Sequence, residues 1–231
     1  MMERFPRLDF RAAYDRFNAL VVPGDCGELC APHNPGGKPF CCDICQAVPS
    51  AYLQEWAYLE AQTDLWHPWR GNECAENPED PAELAADTPE SMLLLACLGP
   101  AHCQREYRSL SCRQFPFFPY ITSDYGFLGL AYNWEFEDTC WVISHLNMVS
   151  PAYRVAFVQF YDDFFSTWPQ ELDHYANRSE QMRAHFITHK RSIPLLHREG
   201  GYALLRPLNE RVRRVDPERL PRYGVYRGGQ G

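Results

Sequence analysis

Apolar residues recur at three- and four-residue intervals in "FPRLDFRAAYDRFNALVV", where Phe10, Ala13, Phe17 and Leu20 form one stripe. That spacing predicts a helix, which Pro23 and Gly24 bring to an end. A second stripe, Tyr52, Trp56 and Leu59 in "VPSAYLQEWAYLEAQ", predicts another helix with Pro49 near its start. "SPAYRVAFVQFYDDFFSTW" is apolar on most sides, so the helix opened by Ser150 and Pro151 is expected to be deeply packed. The following "ANRSEQMRAHFITHKRS" predicts a more polar helix. Aromatic and aliphatic runs flank a Ser-Asp-Tyr-Gly turn in "YITSDYGFLGLAYNWEF", which predicts a β-hairpin. "REGGYALLRPL" reads as a strand or a short strand pair, and the Arg- and Gly-rich tail from about 212 as irregular. Residues 67–90 are rich in proline and acid, the composition of a solvated connection.

Composition narrows the classes. The chain has 231 residues and 45% hydrophobic residues, enough to bury a core of its own. Its net charge of −8 excludes general binding to a phosphate backbone, which needs a basic face. No run of about 18 apolar residues exists to cross a membrane. "MMERFPRLDF" carries charges where an export signal needs its apolar segment, so the expected location is cytoplasmic.

Ten cysteines change the picture. They are Cys26, Cys30, Cys41, Cys42, Cys45, Cys74, Cys97, Cys103, Cys112 and Cys140. A reducing compartment disfavours a disulfide framework, and such frameworks staple smaller, secreted domains. Thiolates are soft ligands suited to zinc, copper(I) or iron–sulfur clusters. Cys26 with Cys30, and Cys97 with Cys103, lie close enough for one loop to present both sulfurs at little entropic cost. Glycine and proline around both pairs permit the turns. Cys41 and Cys42 are adjacent, and on an extended backbone their side chains point to opposite sides. In that conformation they serve different metal atoms, or one ligates while the other packs behind it.

The order of these residues resembles a known family. A "CC" pair, an intervening helix and then "CLGPAHCQREYRSLSCRQFPFFPY" is similar to the YkgJ-type cysteine-cluster family, a zinc- or iron-chelating CxxCxxCC domain. Its second block is matched here by Cys97, Cys103, Tyr107, Cys112-Arg113 and Phe115-Pro116-Phe117, with Cys140 in the place of the last cysteine. The resemblance covers roughly residues 24–145. The first block departs from it, with "APHNPGGKPF" between Cys30 and the pair, and "SLS" replaces the Arg-Pro before Cys112. The resemblance implies Cys26, Cys30, Cys41, Cys42, Cys97, Cys103, Cys112 and Cys140 as metal ligands, leaving Cys45 and Cys74 over. It implies an iron–sulfur cluster or Zn2+ as the bound group. Two zinc sites, one cluster with a supporting shell, or a cluster beside a zinc all satisfy that ligand count.

The same order is similar to that of the flagellin lysine N-methylase family, whose activity involves an iron–sulfur cluster and S-adenosylmethionine. A protein or peptide methylase is therefore the alternative function, although no glycine-rich nucleotide loop follows a strand. Lys38, Arg105, Arg108 and Arg113 lie beside cysteines, and Arg113, next to Cys112, is the expected cofactor-side charge; Arg105 and Arg108 read as surface residues. His185 and His189 share a helix face but lack the glutamate of a zinc protease, and read as structural. His33 and His102 read as replacement ligands or as donors behind the ligands. The expected fold is an α+β, mainly helical single domain with irregular cysteine-rich metal-binding loops and a β-hairpin. Residues 1–145 form its cysteine-cluster region, and 146–231 a helical C-terminal extension packed on it. "FPFFPY" and the hairpin are expected to cover the metal centre.

Overall fold

A computed structural model describes residues 6–74 and 80–228. The chain is α+β and divides into two compact units. Residues 7–18, 25–74 and 80–115 form one; residue 6 with 19–24 and 116–228 forms the other. The hairpin and Cys140, expected with the cysteine region, belong to the second unit, because the hairpin strands are the first two of a larger sheet there.

The cysteine-bearing unit opens with α1 (Phe10–Arg16), capped by the Asp9 carboxylate accepting from the Ala12 amide. The helix is shorter than its stripe predicts, ending at Arg16. α2 (Cys26–Cys30) follows, then β1 (Ser50–Tyr52) and α3 (Leu53–Gln62). The connection from 67 is partly ordered: β2 (Trp66–Pro68) enters it and α4 (Pro81–Ala86) lies within it. Residues 75–79 of that segment lie outside the described residues. β3 (Met92–Cys97) pairs antiparallel with both β1 and β2, giving a three-stranded sheet with β3 central, and α5 (Leu110–Gln114) completes the unit. Phe10, Tyr14, Phe17, Leu59, Leu65 and Leu95 form its buried core.

Within that core, Glu55 on α3 is fully buried. Its carboxylate accepts from the Tyr14 hydroxyl and from the amides of Leu110 and Tyr52, which ties α1, α5 and β1 to α3. Burial pushes this carboxyl up to about 7, against the pull of those three donors.

The second unit is built on the expected hairpin, β4 (Phe117–Ile121) and β5 (Phe127–Tyr132). α6 (Trp141–Ser144), α7 (Pro151–Thr167) and α8 (Gln170–Thr188) come next, then β6 (Ile193–His197), β7 (Tyr202–Arg206) and β8 (Arg211–Val215). The five strands run β4-β5-β6-β7-β8, all antiparallel. α7 starts where the sequence places it: Ser150 caps it by accepting from the Tyr153 amide, and Pro151 occupies its first turn. Its Tyr153, Phe157, Phe160, Tyr161 and Phe164 are buried on one face, whereas Val155 on the other is exposed, so the helix is packed along a single face rather than on most sides. Residues 211–215, expected to be irregular, form the edge strand β8. Alternation is weak there because its side chains are half-exposed or exposed, so no apolar stripe marks it. Gly129, at φ 152°, brings β5 against β6 so closely that a Cβ would lie 2.2 Å from the Leu196 carbonyl oxygen.

Among the described residues, Cys45 and Cys74 form a disulfide with Cα atoms 5.7 Å apart, and eight cysteines remain thiols. This bond departs from the expectation that disulfides are disfavoured, and it joins the two cysteines left outside the expected ligand set. Among the described residues, no helix is long and apolar enough to cross a membrane.

Candidate functional site

The first cysteine block is a folded loop. Asp25 caps α2 through the Gly27 amide at 2.8 Å, which sets Cys26 and Cys30 at the two ends of this short helix. Gly27 permits the return of the loop, since a Cβ there would meet the Pro39 ring at 2.8 Å. Phe40–Cys42 form a single 3-10 turn, so the extended backbone expected for the adjacent cysteines is replaced by a helical one. The two thiols are hydrogen-bonded to each other and line the same cavity. Buried Asp43 accepts from the Cys45 amide and from Asn34, which fixes the end of the loop.

The second block begins where β3 ends. Cys97 Sγ accepts from the Gly99 amide at 3.4 Å, and Gly99, at φ 90°, turns the chain into the bend at Pro100–His102. Cys103 accepts from Arg108 Nε at 3.1 Å. Ser109 caps α5 by accepting from the Cys112 amide, which holds Cys112 in its first turn.

Cys26, Cys41 and Cys42 from the first block and Cys97, Cys103 and Cys112 from the second line one cavity of about 290 Å³. Lys38 and Arg108 line it as well, and Ile44, Ala47, Leu65, Trp66 and Leu98 supply an apolar wall. Trp66 is held by donation from its Nε1 to the Tyr107 carbonyl at 2.7 Å. The thiols are spread around the wall: among the described residues, no group of three or more His, Cys, Asp or Glu side chains is gathered closely enough to hold a metal ion.

Burial dominates the acidity of Cys26, Cys97 and Cys112. It pushes Cys26 up to about 11, helped by Cys30 and Asp25, and Cys112 up to about 12, helped by Cys42 and Cys97. Cys97 is raised for the same reason. Cys42 goes the other way, down to about 7, chiefly through its hydrogen bond with Cys41 and, against burial, through the Arg108 charge. Cys42 is thus poised to become a thiolate.

Of the eight cysteines expected as ligands, six line the cavity. Cys30 is buried behind them, its Sγ near the Gly27 carbonyl, and Cys42 is among the charges that raise it. Cys140 is buried in the other unit, at the N-cap of α6, and is not part of the cavity lining. Arg113 also differs from expectation. Its guanidinium does not line the cavity; it donates to the carbonyls of Tyr14, Phe17, Arg105, Glu106 and Arg108 and lies 4.0 Å above the Tyr14 ring. Arg108, read as a surface residue, is the arginine that faces the sulfurs. Its place among three cysteines within 16 residues was the available signal, but spacing alone does not say which of two nearby arginines turns inward. The apolar wall was not legible, since Leu65, Trp66 and Leu98 are ordinary core residues in sequence. His33 and His102 do not line the cavity, and His185, in the last turn of α8, and His189, at its C-cap, have their rings tilted against each other in the other unit. Compared with models of known families, with curated proteins and with solved structures, the chain matches none.

Proposed function

We propose that the chain is a metal-binding module whose two cysteine blocks hold a zinc or iron–sulfur centre through thiolates. One observation supports this reading: cysteines from 26 to 112 meet around a single cavity, although they come from α2, a 3-10 turn, the end of β3, a bend and α5. The donor set is all sulfur, the chemistry that zinc and iron–sulfur clusters favour. Cys26, Cys41, Cys42, Cys97, Cys103 and Cys112 are the residues that would hold it, the bound group drawing together sulfurs that are otherwise spread around the cavity wall. Arg108 and Lys38 offset part of the negative charge that several thiolates bring together. The bound group would supply structural cross-linking if every position is closed by sulfur, or electron transfer if it is a cluster. The chain's own part is to fold both blocks onto one cavity and to shield it with Trp66 and Leu65.

The test is anaerobic purification followed by metal and sulfide analysis and a visible spectrum, on the natural chain and on Cys112→Ser. Stoichiometric zinc in a colourless protein, or iron with sulfide and a broad visible band, is expected, with loss of that content in the variant. A metal-free protein whose stability does not respond to added metal ends the proposal.

The apolar wall favours a second reading, a cluster-dependent methylase acting on a protein or peptide lysine. A closed four-thiolate site has no use for Ile44, Ala47 and Leu98, whereas an organic cosubstrate such as S-adenosylmethionine needs a surface to lie on. Equilibrium dialysis of the metal-loaded protein against S-adenosylmethionine separates the two. Retention supports the enzyme, and its absence leaves the module.

A further inference from the structure

The hairpin β7–β8 carries three arginines that nothing in the described chain neutralises. Arg206 and Arg211 are direct cross-strand partners, and Arg213 lies two positions along β8, opposite Leu204. Residues two apart on a strand share a face, so the three arginines, all exposed, lie on one face of the hairpin. With Ser192, Leu204 and Val212 they line a cavity of about 380 Å³. Their side chains make no hydrogen bond or ion pair among the described residues.

Four other arginines of this unit are neutralised by carboxylates, while Arg219 and Arg227, like these three, make no side-chain hydrogen bond or ion pair among the described residues. Arg178 pairs with Glu135, Arg183 with Glu210, Arg191 with Glu137 and Arg198 with Asp162. Glu210, in the turn of the same hairpin, is held by Arg183 at 2.9 Å and accepts from the Tyr120 hydroxyl and the Ser123 amide. Arg214, on the opposite face of β8, contacts His197 and Glu199. Protecting an edge strand needs an outward charge, and Arg214 already supplies one. Like charges directly opposite each other weaken a strand pair. An acidic chain that keeps Arg206 against Arg211, with Arg213 beside them, therefore accepts a local cost that a bound anion would remove.

We infer that this cavity is an anion site for a phosphate-type group: a diphosphate, or the terminal phosphates of a small molecule such as a nucleotide. Guanidinium forks match the oxygen pairs of a tetrahedral phosphate bidentately. A single carboxylate occupies one fork and leaves the others uncancelled. Ser192 adds a hydroxyl donor, and paired strands hold two of the forks at a set spacing. The site is independent of the cysteine cavity and of the metal reading.

Isothermal titration of the full chain with inorganic pyrophosphate, ADP and adenosine, at constant ionic strength, tests it. Saturable binding of pyrophosphate and ADP but not of adenosine is expected, weakened about tenfold or more in Arg211→Gln/Arg213→Gln. ADP binding much tighter than pyrophosphate identifies a nucleotide as the source, and equal binding identifies the phosphates alone. No saturable binding of either phosphate compound, or binding unchanged in the variant, overturns the inference. Removing like charges should leave the melting temperature at or above that of the natural chain. Should the double variant fail to fold, Arg206→Gln, on the neighbouring strand, gives the same reading.

Discussion

The guanidinium of Arg113 is surrounded by backbone carbonyls, whereas that of Arg108, five positions earlier, reaches a cysteine sulfur. A lysine cannot replace the first arrangement, because one ammonium cannot fork towards carbonyls on α1 and on the 105–108 turn at once. Arg113→Lys is expected to lower stability by about 2–4 kcal/mol, since buried carbonyls lose their donor. Urea unfolding measures this, and an unchanged midpoint would refute the bracing role. Glu55 makes a prediction in pH. Its carboxyl titrates near 7 when folded, against an ordinary 4.5. Between those values the folded chain keeps a proton that the unfolded chain has released, so this contribution to stability declines as pH rises and levels off above about 7. Thermal melts at pH 5, 6, 7 and 8 should show that slope in the natural chain and a smaller one in Glu55→Gln. Parallel curves would mean that the carboxyl titrates normally. Neither partner set was legible in sequence: a lone Glu in an amphipathic helix reads as solvent-facing, and its three donors lie 41 residues before it, 55 after it and at its own helix start.

Elements were legible in proportion to their local signals. α7 has a cap, a proline and an apolar run, and the β4–β5 hairpin has a turn between two apolar runs, so both form where expected. β3 and β8 do not announce themselves; β3 is central because β1 and β2 both pair with it, and β8 exists because β7 offers an edge. Gly129 tests the close approach of two strands. Gly129→Ala places a methyl against the Leu196 carbonyl, and a loss of about 2–3 kcal/mol is expected as β5 and β6 separate. Chemical denaturation reads this directly, and an alanine variant as stable as the natural chain would show that the strands can shift. The Cys45–Cys74 bond closes a loop of 29 positions next to the first cysteine block. Cys74→Ser should lower stability by about 2–4 kcal/mol under oxidising conditions. Under reducing conditions the difference should vanish, and a difference that persists would place the effect in packing rather than in the bond.

For the whole molecule, the consequence of the proposed centre is a melting temperature that depends on metal. Mass action favours the folded chain whenever a ligand binds it alone, so chelation should lower the midpoint by about 5 °C or more and returned metal should restore it. A scan indifferent to both additions would separate the thiols from any role in holding the fold. Charge patterning, helical stripes and turn chemistry are local properties, and from them the sequence by itself determined the α+β class, the start of α7, the hairpin and the clustering of cysteines into two blocks. What only the tertiary structure decided is which groups meet. It put six of the expected cysteines on one cavity and Cys140 in the other compact unit, and it joined Cys45 to Cys74. It also turned Arg108 inward and Arg113 toward carbonyls, and set Arg206 opposite Arg211. The physical reason is range: a stripe or a cap is set by neighbours within a few residues, whereas a cavity is made by segments far apart in the chain that only packing brings together.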